Sequence, residues 1–361
     1  MSVSQPLLAE EEAPRHKRCT ATQTLLALLA LQLGWGLWLL PHAFSLLGWI
    51  PALSAVTAIA LTTIYSGSLF TRLFLAAPGT VLFGDIAEAA AGPGARTLCY
   101  VIVYTLDATR CVILHLAATQ SLEHALGDAA PPLWQCGLIV LALAAAAAQV
   151  RALSELSDFF LLGTTSQLIG IAIVIYQLIT EPDPDAKHSL FVKPGDGAGP
   201  DGEGGATVES QLVALFNIIF AYGGQFAFVE LMTSMLRPAR FPLAISACTG
   251  IMTALYVGLG ATGYQSKGSA VSEIVIFSLG EGPAARVASA CILVQALSQC
   301  EGLPCWFALT LLKDSLGRVE RGACYAAIPL SLALSAAGLV CSVSTLIRQI
   351  KAGGSAFGPP V

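Results

Sequence analysis

Nine apolar stretches dominate the chain, at about residues 22–44, 50–74, 97–121, 134–150, 159–179, 210–235, 242–263, 285–311 and 324–346. A helix needs about 20 residues to cross the hydrocarbon layer of a bilayer, and each stretch is near or above that length. Hydrocarbon offers backbone groups no partner, so such segments span it as helices whose N–H and C=O groups pair internally. Of 361 residues, 55% are hydrophobic and only 11% charged. An ordinary soluble domain carries about 25% charge, so the composition excludes disorder and argues against a water-soluble fold. The expected fold class is an all-α polytopic membrane protein with about nine transmembrane helices.

Residues 1–20, with Glu10, Glu11 and Glu12 followed by Arg15, Lys17 and Arg18, are too polar for a signal peptide and read as a cytosolic N-terminal tail. Residues 21–350 are expected to form the transmembrane domain and 351–361 a C-terminal tail. A cytosolic N-terminus leaves eleven Lys and Arg on the cytosolic side and six outside, as the positive-inside rule favours. An odd helix count then places the C-terminus outside. The longest interruption, 181–209, is rich in Pro, Gly and Asp. With little to bury, it is expected to be a flexible extracytosolic loop between the fifth and sixth helices. Its acidic residues supply much of the net charge of −5, so no nucleic-acid partner is implied.

Ten cysteines fall mostly inside apolar runs, Cys99, Cys111, Cys248, Cys291 and Cys341 among them, and read as small packing residues. The sequence has no Walker-type phosphate loop, HExxH, GxSxG or CxxC, and Cys300 with Cys305 lacks further zinc ligands. The chain is therefore expected to be neither an enzyme nor a carrier of a cofactor or structural metal.

Two spans carry Gly clusters: Gln32-Leu33-Gly34-Trp35-Gly36-Leu37-Trp38-Leu39-Leu40-Pro41 in the first, and Phe220-Ala221-Tyr222-Gly223-Gly224-Gln225 in the sixth. Unwound backbone inside a bilayer is tolerated only where it is buried or lines a polar cavity. A break frees N–H groups at a half-helix N-terminus, where the dipole favours an anion such as a carboxylate. Either cluster alone is equally a helix-packing device, because small residues let backbones approach. Their places in the first and sixth spans, on either side of the long loop, are what an inverted five-helix repeat gives its binding site.

The run from Gly34 to Trp49 resembles the first-helix pattern of the amino acid/auxin permeases: a Gly pair, then Leu40-Pro41, a variable position, Ala43-Phe44 and a later Gly48-Trp49. The run from Phe220 to Gln225, followed by Glu230, Met235, Pro238 and Phe241-Pro242, is similar to that family's sixth-helix pattern, and Phe83 to Gly92 to the segment before its third helix. The resemblance implies a leucine-transporter-like inverted repeat with broken first and sixth helices and a shortened second repeat. It implies a secondary active transporter of amino acids, working by alternating access in a plasma or vacuolar/lysosomal membrane. The expected coupling ion is a proton, with sodium the alternative. Amides near Gly34 and Gly36 would hold the substrate carboxylate, carbonyls of Ala221, Gly223 and Gly224 would face its ammonium, and Tyr222 or Phe220 would shape the pocket. Trp35 is either substrate-facing or a packing anchor.

The family usually has about eleven helices where nine are expected here. The alternative reading is therefore a non-transporting amino-acid-sensing receptor or subunit, or a truncated inactive permease. The sequence carries no signal for oligomeric state; the lipid bilayer is the expected surrounding.

Charges inside spans need partners or a wet cavity. Asp107 and Arg110 stand i,i+3 on one helix, as a structural ion pair or as a gate. Glu230 has no sequence-local cation and reads as a coupling carboxyl, a static acceptor or a partner of Arg237 or Arg240; Glu301 lies beside a kink at Pro304. Gln295, Ser298 and Gln299 form a polar patch in the eighth span, which either bonds neighbouring helices or, by the resemblance, makes Ser298 a sodium ligand. His42 and His115 read as packing residues or proton relays.

Overall fold

The computed structural model describes residues 19–299 except 78, 148–152, 196–205 and 281. The ninth expected span and Glu301 lie outside the described residues, as does the side chain of Asp107. Eleven α-helices follow one another: α1 (Ala21–Gln32), α2 (Leu40–Leu47), α3 (Trp49–Ala76), α4 (Phe83–Ala91), α5 (Pro93–Leu126), α6 (Leu133–Ala147), α7 (Leu153–Thr180), α8 (Val208–Ala221), α9 (Phe228–Ser234), α10 (Phe241–Lys267) and α11 (Pro283–Ser298). No strand occurs among the described residues; one isolated bridge joins Cys19 to Met235. Among the described residues, four segments, Trp49–Ala76, Leu161–Thr180, Val208–Ser234 and Pro238–Ala270, are long and apolar enough to cross a membrane. The pair Ala21–Gln32 and Trp35–Leu47, bent by 54°, makes a fifth.

Apolar side chains lie on both the inside and the outside of this bundle, which is the pattern a bilayer selects. Leu61, Tyr65 and Leu69 of α3, Leu168, Ile169 and Tyr176 of α7, and Leu212, Phe216 and Ile219 of α8 are exposed. A water-soluble monomer rarely leaves faces of this extent uncovered. The buried core centres on the two interrupted helices and α10: Leu37, Trp38, Leu40 and Phe44 meet Phe228, Met232, Phe241, Ile245 and Tyr256.

Both interrupted helices begin alike. Thr20 and Gln23 cap each other reciprocally at the start of α1, and Thr207 and Ser210 do so at the start of α8. Each then breaks at glycine. Leu33 and Gly34 leave helical dihedrals, and a turn of 3-10 helix, Trp35–Leu39, leads into α2. In the second, Gly224 takes φ +135°, a conformation that L side chains rarely adopt, before α9 resumes. A long helix follows each break, α3 and α10, and the two pack together where a Cβ on Gly67 would lie 2.9 Å from Ile245.

The segment after α7 differs from its expectation as a flexible loop. The first two amides of α3, Trp49 and Ile50, donate to the carbonyls of Ser189 and Leu190 at 3.2 and 3.1 Å. Val192 donates its amide to Leu47 at the end of α2, and Asp183 donates to Ser266 near the end of α10. The Tyr264 hydroxyl accepts the Ser189 amide at 2.8 Å. Residues 183–192 thus form a strap across three helix ends. A Pro, Gly and Asp composition offers little to bury, yet helix termini need only backbone partners, and the strap supplies them. At the opposite end of the interrupted helices, Cys19 donates to the Ser234 carbonyl at 2.7 Å and accepts from the Leu236 amide at 2.9 Å, tying the start of α1 to the end of α9.

Two glycines of α10 make a paired test of this packing. A Cβ on Gly263 would lie 2.6 Å from Pro41 of α2, whereas a Cβ on Gly250 meets nothing within 4 Å. Gly263→Leu is expected to cost about 1–3 kcal/mol by overpacking. Gly250→Leu, on the lipid-facing side, is expected to leave thermal unfolding of the purified chain unchanged or slightly raised; equal losses in both would mean that α2 does not seat on α10 here.

Candidate functional site

The site is best built by asking where the backbone groups freed by the first break go, since a buried unpaired group costs about 1–3 kcal/mol. The Leu33 amide is the last to close a helical bond in α1, to the Leu29 carbonyl. The carbonyls of Ala30, Leu31 and Leu33 then depend on side chains, while that of Gly34 accepts the Leu37 amide at 3.4 Å as well as a side chain. The Gln299 amide of α11 donates to Ala30 at 3.0 Å, and the Arg110 guanidinium of α5 donates to Leu31 at 3.1 Å. Gln295 of α11 reaches Leu33 at 2.9 Å, and Gln167 of α7 reaches Gly34 at 3.3 Å. Tyr256 of α10 places its hydroxyl 3.4 Å from the Gln32 carbonyl and 2.6 Å from that of Ala221. Its single proton belongs to the shorter contact, so the hydroxyl pairs the Ala221 carbonyl at the second break and lies beside the Gln32 carbonyl of the first.

The amides are treated differently. Among the described residues, no acceptor is found for the N–H groups of Gly34, Trp35 and Gly36, which open the downstream half of the helix. At the second break the Tyr222 carbonyl takes Gln225 Nε2 at 3.1 Å and the Gly224 carbonyl takes the Ala227 amide at 3.1 Å. The Gly223 carbonyl has no donor among the described residues. Three unpaired amides at a positive helix end and an unpaired carbonyl at the second break suit a group carrying both an anion and a cation.

The breaks touch. A Cβ on Gly36 would lie 2.6 Å from Ala221 Cα, and one on Gly224 would lie 2.9 Å from Gln32 Cγ. Beside them a crevice of about 170 Å³, lined by Trp35, Trp38, Leu114, Gln167, Gln295 and Gln299, is too narrow for water. Its border holds three buried polar atoms that lack a partner among the described residues, Trp38 Nε1, Gln167 Oε1 and Gln299 Oε1; Gln32 Nε2, beside Gly224, is another. A second cavity, about 490 Å³, is an open groove between Trp49, Leu178 and Gln265 at the strap end, away from the breaks.

The structure brings Gly34, Gly36, Ala221, Gly223 and Gly224 together. Trp35 is buried against the crevice, and Tyr222, 1% exposed, turns to α10, where its hydroxyl pairs with Thr253 at 2.8 Å and its ring meets Tyr256 edge-on. Phe220, at 37% exposure, lies on the outer face of α8 and not at the break. Glu230 is exposed on α9. Ser298 is buried but donates to the Gln295 carbonyl at 2.7 Å, while its neighbours Gln295 and Gln299 are the ones that reach the first break. His42 bonds the Val271 carbonyl at 3.1 Å. Gln32, Gln167 and Tyr256 were not singled out in the sequence; a glutamine in an otherwise apolar span was the available signal for the first two.

Tyr256→Phe removes the side-chain donor to the Ala221 carbonyl and strands it. It is expected to cost about 1–3 kcal/mol, read as a lowered unfolding temperature of the purified chain, and an unchanged temperature would refute the bond.

Residues 17–301 match the family described as transmembrane amino acid transporter protein. Amino acid transporter AVT1D of Arabidopsis thaliana is 26% identical over 271 residues, covering 72% of this chain and 46% of the relative. Amino acid transporter AVT1E of the same plant is 23% identical over 283 residues, covering 76% and 50%. The chain spans about half the length of these curated relatives. The matched region contains both breaks, the strap and the side chains that pair the freed carbonyls, and the chain belongs to the transmembrane amino acid transporter family, a multi-pass integral membrane protein.

Proposed function

We propose that this chain moves an amino acid across a membrane by alternating access around the two breaks. The observation that carries the reading is that the two breaks touch, Gly36 of the 3-10 turn against Ala221 of α8, and that each break leaves backbone groups unsatisfied: the amides of Gly34, Trp35 and Gly36 at the first and the Gly223 carbonyl at the second. The amides suit the substrate carboxylate and the carbonyl its ammonium. The repeated order of capping box, break, short second limb and long helix in α1–α3 and α8–α10 supports an inverted repeat of the leucine-transporter type. The family match and the names of the relatives support amino acids as the substrate class.

The structure is closed along its length. The Cys19 and Met235 segments pair at one end, the breaks abut in the middle, and the Gln211 amide bonds the Leu46 carbonyl beneath the strap. Transport on this reading requires the two ends to part in turn, while Arg110, Gln167, Gln295 and Gln299 hold the first break.

Proteoliposomes carrying the full chain are expected to accumulate labelled amino acids under an inward proton gradient. Gly224→Leu, which puts a side chain into Gln32 at a left-handed position, is expected to abolish uptake while the protein still inserts. Wild-type uptake by that variant would remove the breaks as the site; amino-acid-dependent stabilisation of the wild type without flux would favour a receptor.

A proton is the proposed coupling ion, and Glu230, the acidic residue in the first turn of α9, is the proposed carrier. Glu230→Gln is expected to transport with a flattened pH dependence. A full pH dependence in that variant would remove Glu230 from the role.

A further inference from the structure

The sodium position implied by the resemblance sets carbonyls of the first broken helix against a hydroxyl of the eighth, and the chain's own groups do not fit it. A hard cation is held by oxygen lone pairs directed at it. Four of the freed carbonyls, at Ala30, Leu31, Leu33 and Gly34, already accept bonds from Gln299, Arg110, Gln295 and Gln167. The hydroxyl of Ser298 donates within α11 and packs against Gly163 of α7, where a Cβ would overlap it, so it does not face the carbonyls. The free oxygens of Gln167 and Gln299 border a crevice too narrow for water. One of the four donors, the Arg110 guanidinium, is itself a cation.

We infer that Gln167, Gln295 and Gln299, with Arg110, occupy the place of a coupling cation at the first break, and that they hold its carbonyls without sodium. They are positioning residues: they fix the carbonyl side of the break, and thereby aim the unpaired amides of Gly34, Trp35 and Gly36. For its role in transport the inference rests on the reading of the breaks as the substrate site. Its chemistry does not, because a donor can be exchanged for an acceptor and the ion response read without flux.

Gln295→Glu supplies the exchange. Ionised, the new carboxylate faces the Leu33 carbonyl, 2.9 Å from the present amide nitrogen, with two acceptors opposed. A bound sodium ion bridges them; so does a proton, since a protonated carboxyl donates as the amide did. The full-length chain is purified, and its unfolding temperature is measured in sodium chloride and in N-methyl-D-glucamine chloride, at neutral and at acid pH.

The wild type is expected to unfold at the same temperature in both salts. Gln295→Glu is expected to gain about 3 °C in sodium at neutral pH, the size of effect for an ion present at roughly tenfold its Kd. The sodium effect is expected to vanish at acid pH, where the proton replaces the ion. Gln295→Met, which can neither donate nor bind a cation, is expected to be destabilised equally in both salts. Sodium stabilisation of the wild type would overturn the inference, and so would a Gln295→Glu response no different from that of Gln295→Met. Should Gln295→Glu fail to fold, Gln299→Glu gives the same contrast at the Ala30 carbonyl, 3.0 Å from the present amide, and the wild-type arm stands by itself. A wild type that neither takes up nor is stabilised by amino acids would defeat the transport reading and leave these ion responses as they are.

Discussion

A break in a membrane helix exposes carbonyls that lipid cannot satisfy, and the arrangement of this bundle follows from how they are paired. The donors for Ala30, Leu31, Leu33 and Gly34 come from α5, α7 and α11, and Tyr256 brings α10 to the Gln32 and Ala221 carbonyls. Leaving one such group unpaired costs about 1–3 kcal/mol, so the set as a whole is comparable with the total stability of a folded domain, about 5–15 kcal/mol. Those helices have little freedom to sit elsewhere, because each must put one polar atom beside one particular carbonyl. Close approach completes the constraint, with Gly163 against Ser298 and Gly36 against Ala221 setting the backbones nearer than any side chain allows.

The pairing is asymmetric, and the asymmetry is functional in character. On the carbonyl side of the first break the protein supplies its own donors. On the amide side the N–H groups of Gly34, Trp35 and Gly36 are left without a described acceptor. Buried polar groups are normally paired, so a concentration of unpaired ones marks a place where another partner belongs. A helix N-terminus prefers that partner to be negative. On the proposed reading the side chains around the break are scaffold, and the amides they orient are the part left for a ligand.

Much of this was legible in the sequence, for reasons that also explain what was not. Length and hydropathy mark a spanning helix because the bilayer imposes both, and Gly34-Trp35-Gly36 and Gly223-Gly224 mark breaks because helices seldom unwind there without glycine. The strap was not legible, since its contacts run through backbone groups of Ser189, Leu190 and Val192 that composition does not reveal. The exposure of Glu230 was not legible either, because helical periodicity does not carry through an interruption. The polar patch of α11 was visible, but the hydroxyl drew attention from the two amides: Ser298 spends its proton on its own helix, and Gln295 and Gln299 are long enough to cross to the next. Reach, more than polarity, separated them.

Closure at both ends bears on which parts can move. The link at Cys19 and Met235 consists of two backbone hydrogen bonds, and the strap is likewise held by backbone bonds to helix termini. Such bonds exchange readily for water at a membrane surface, so their net contribution is about 0.5–1.5 kcal/mol each. The donors at the first break have no such exchange, because Gln167, Gln295 and Gln299 lie where water does not enter. Opening at either end thus costs far less than disturbing the middle. A molecule built with weak ties at its ends and costly ones at its centre parts more cheaply at its ends, which is the order of opening that the proposed alternating access requires.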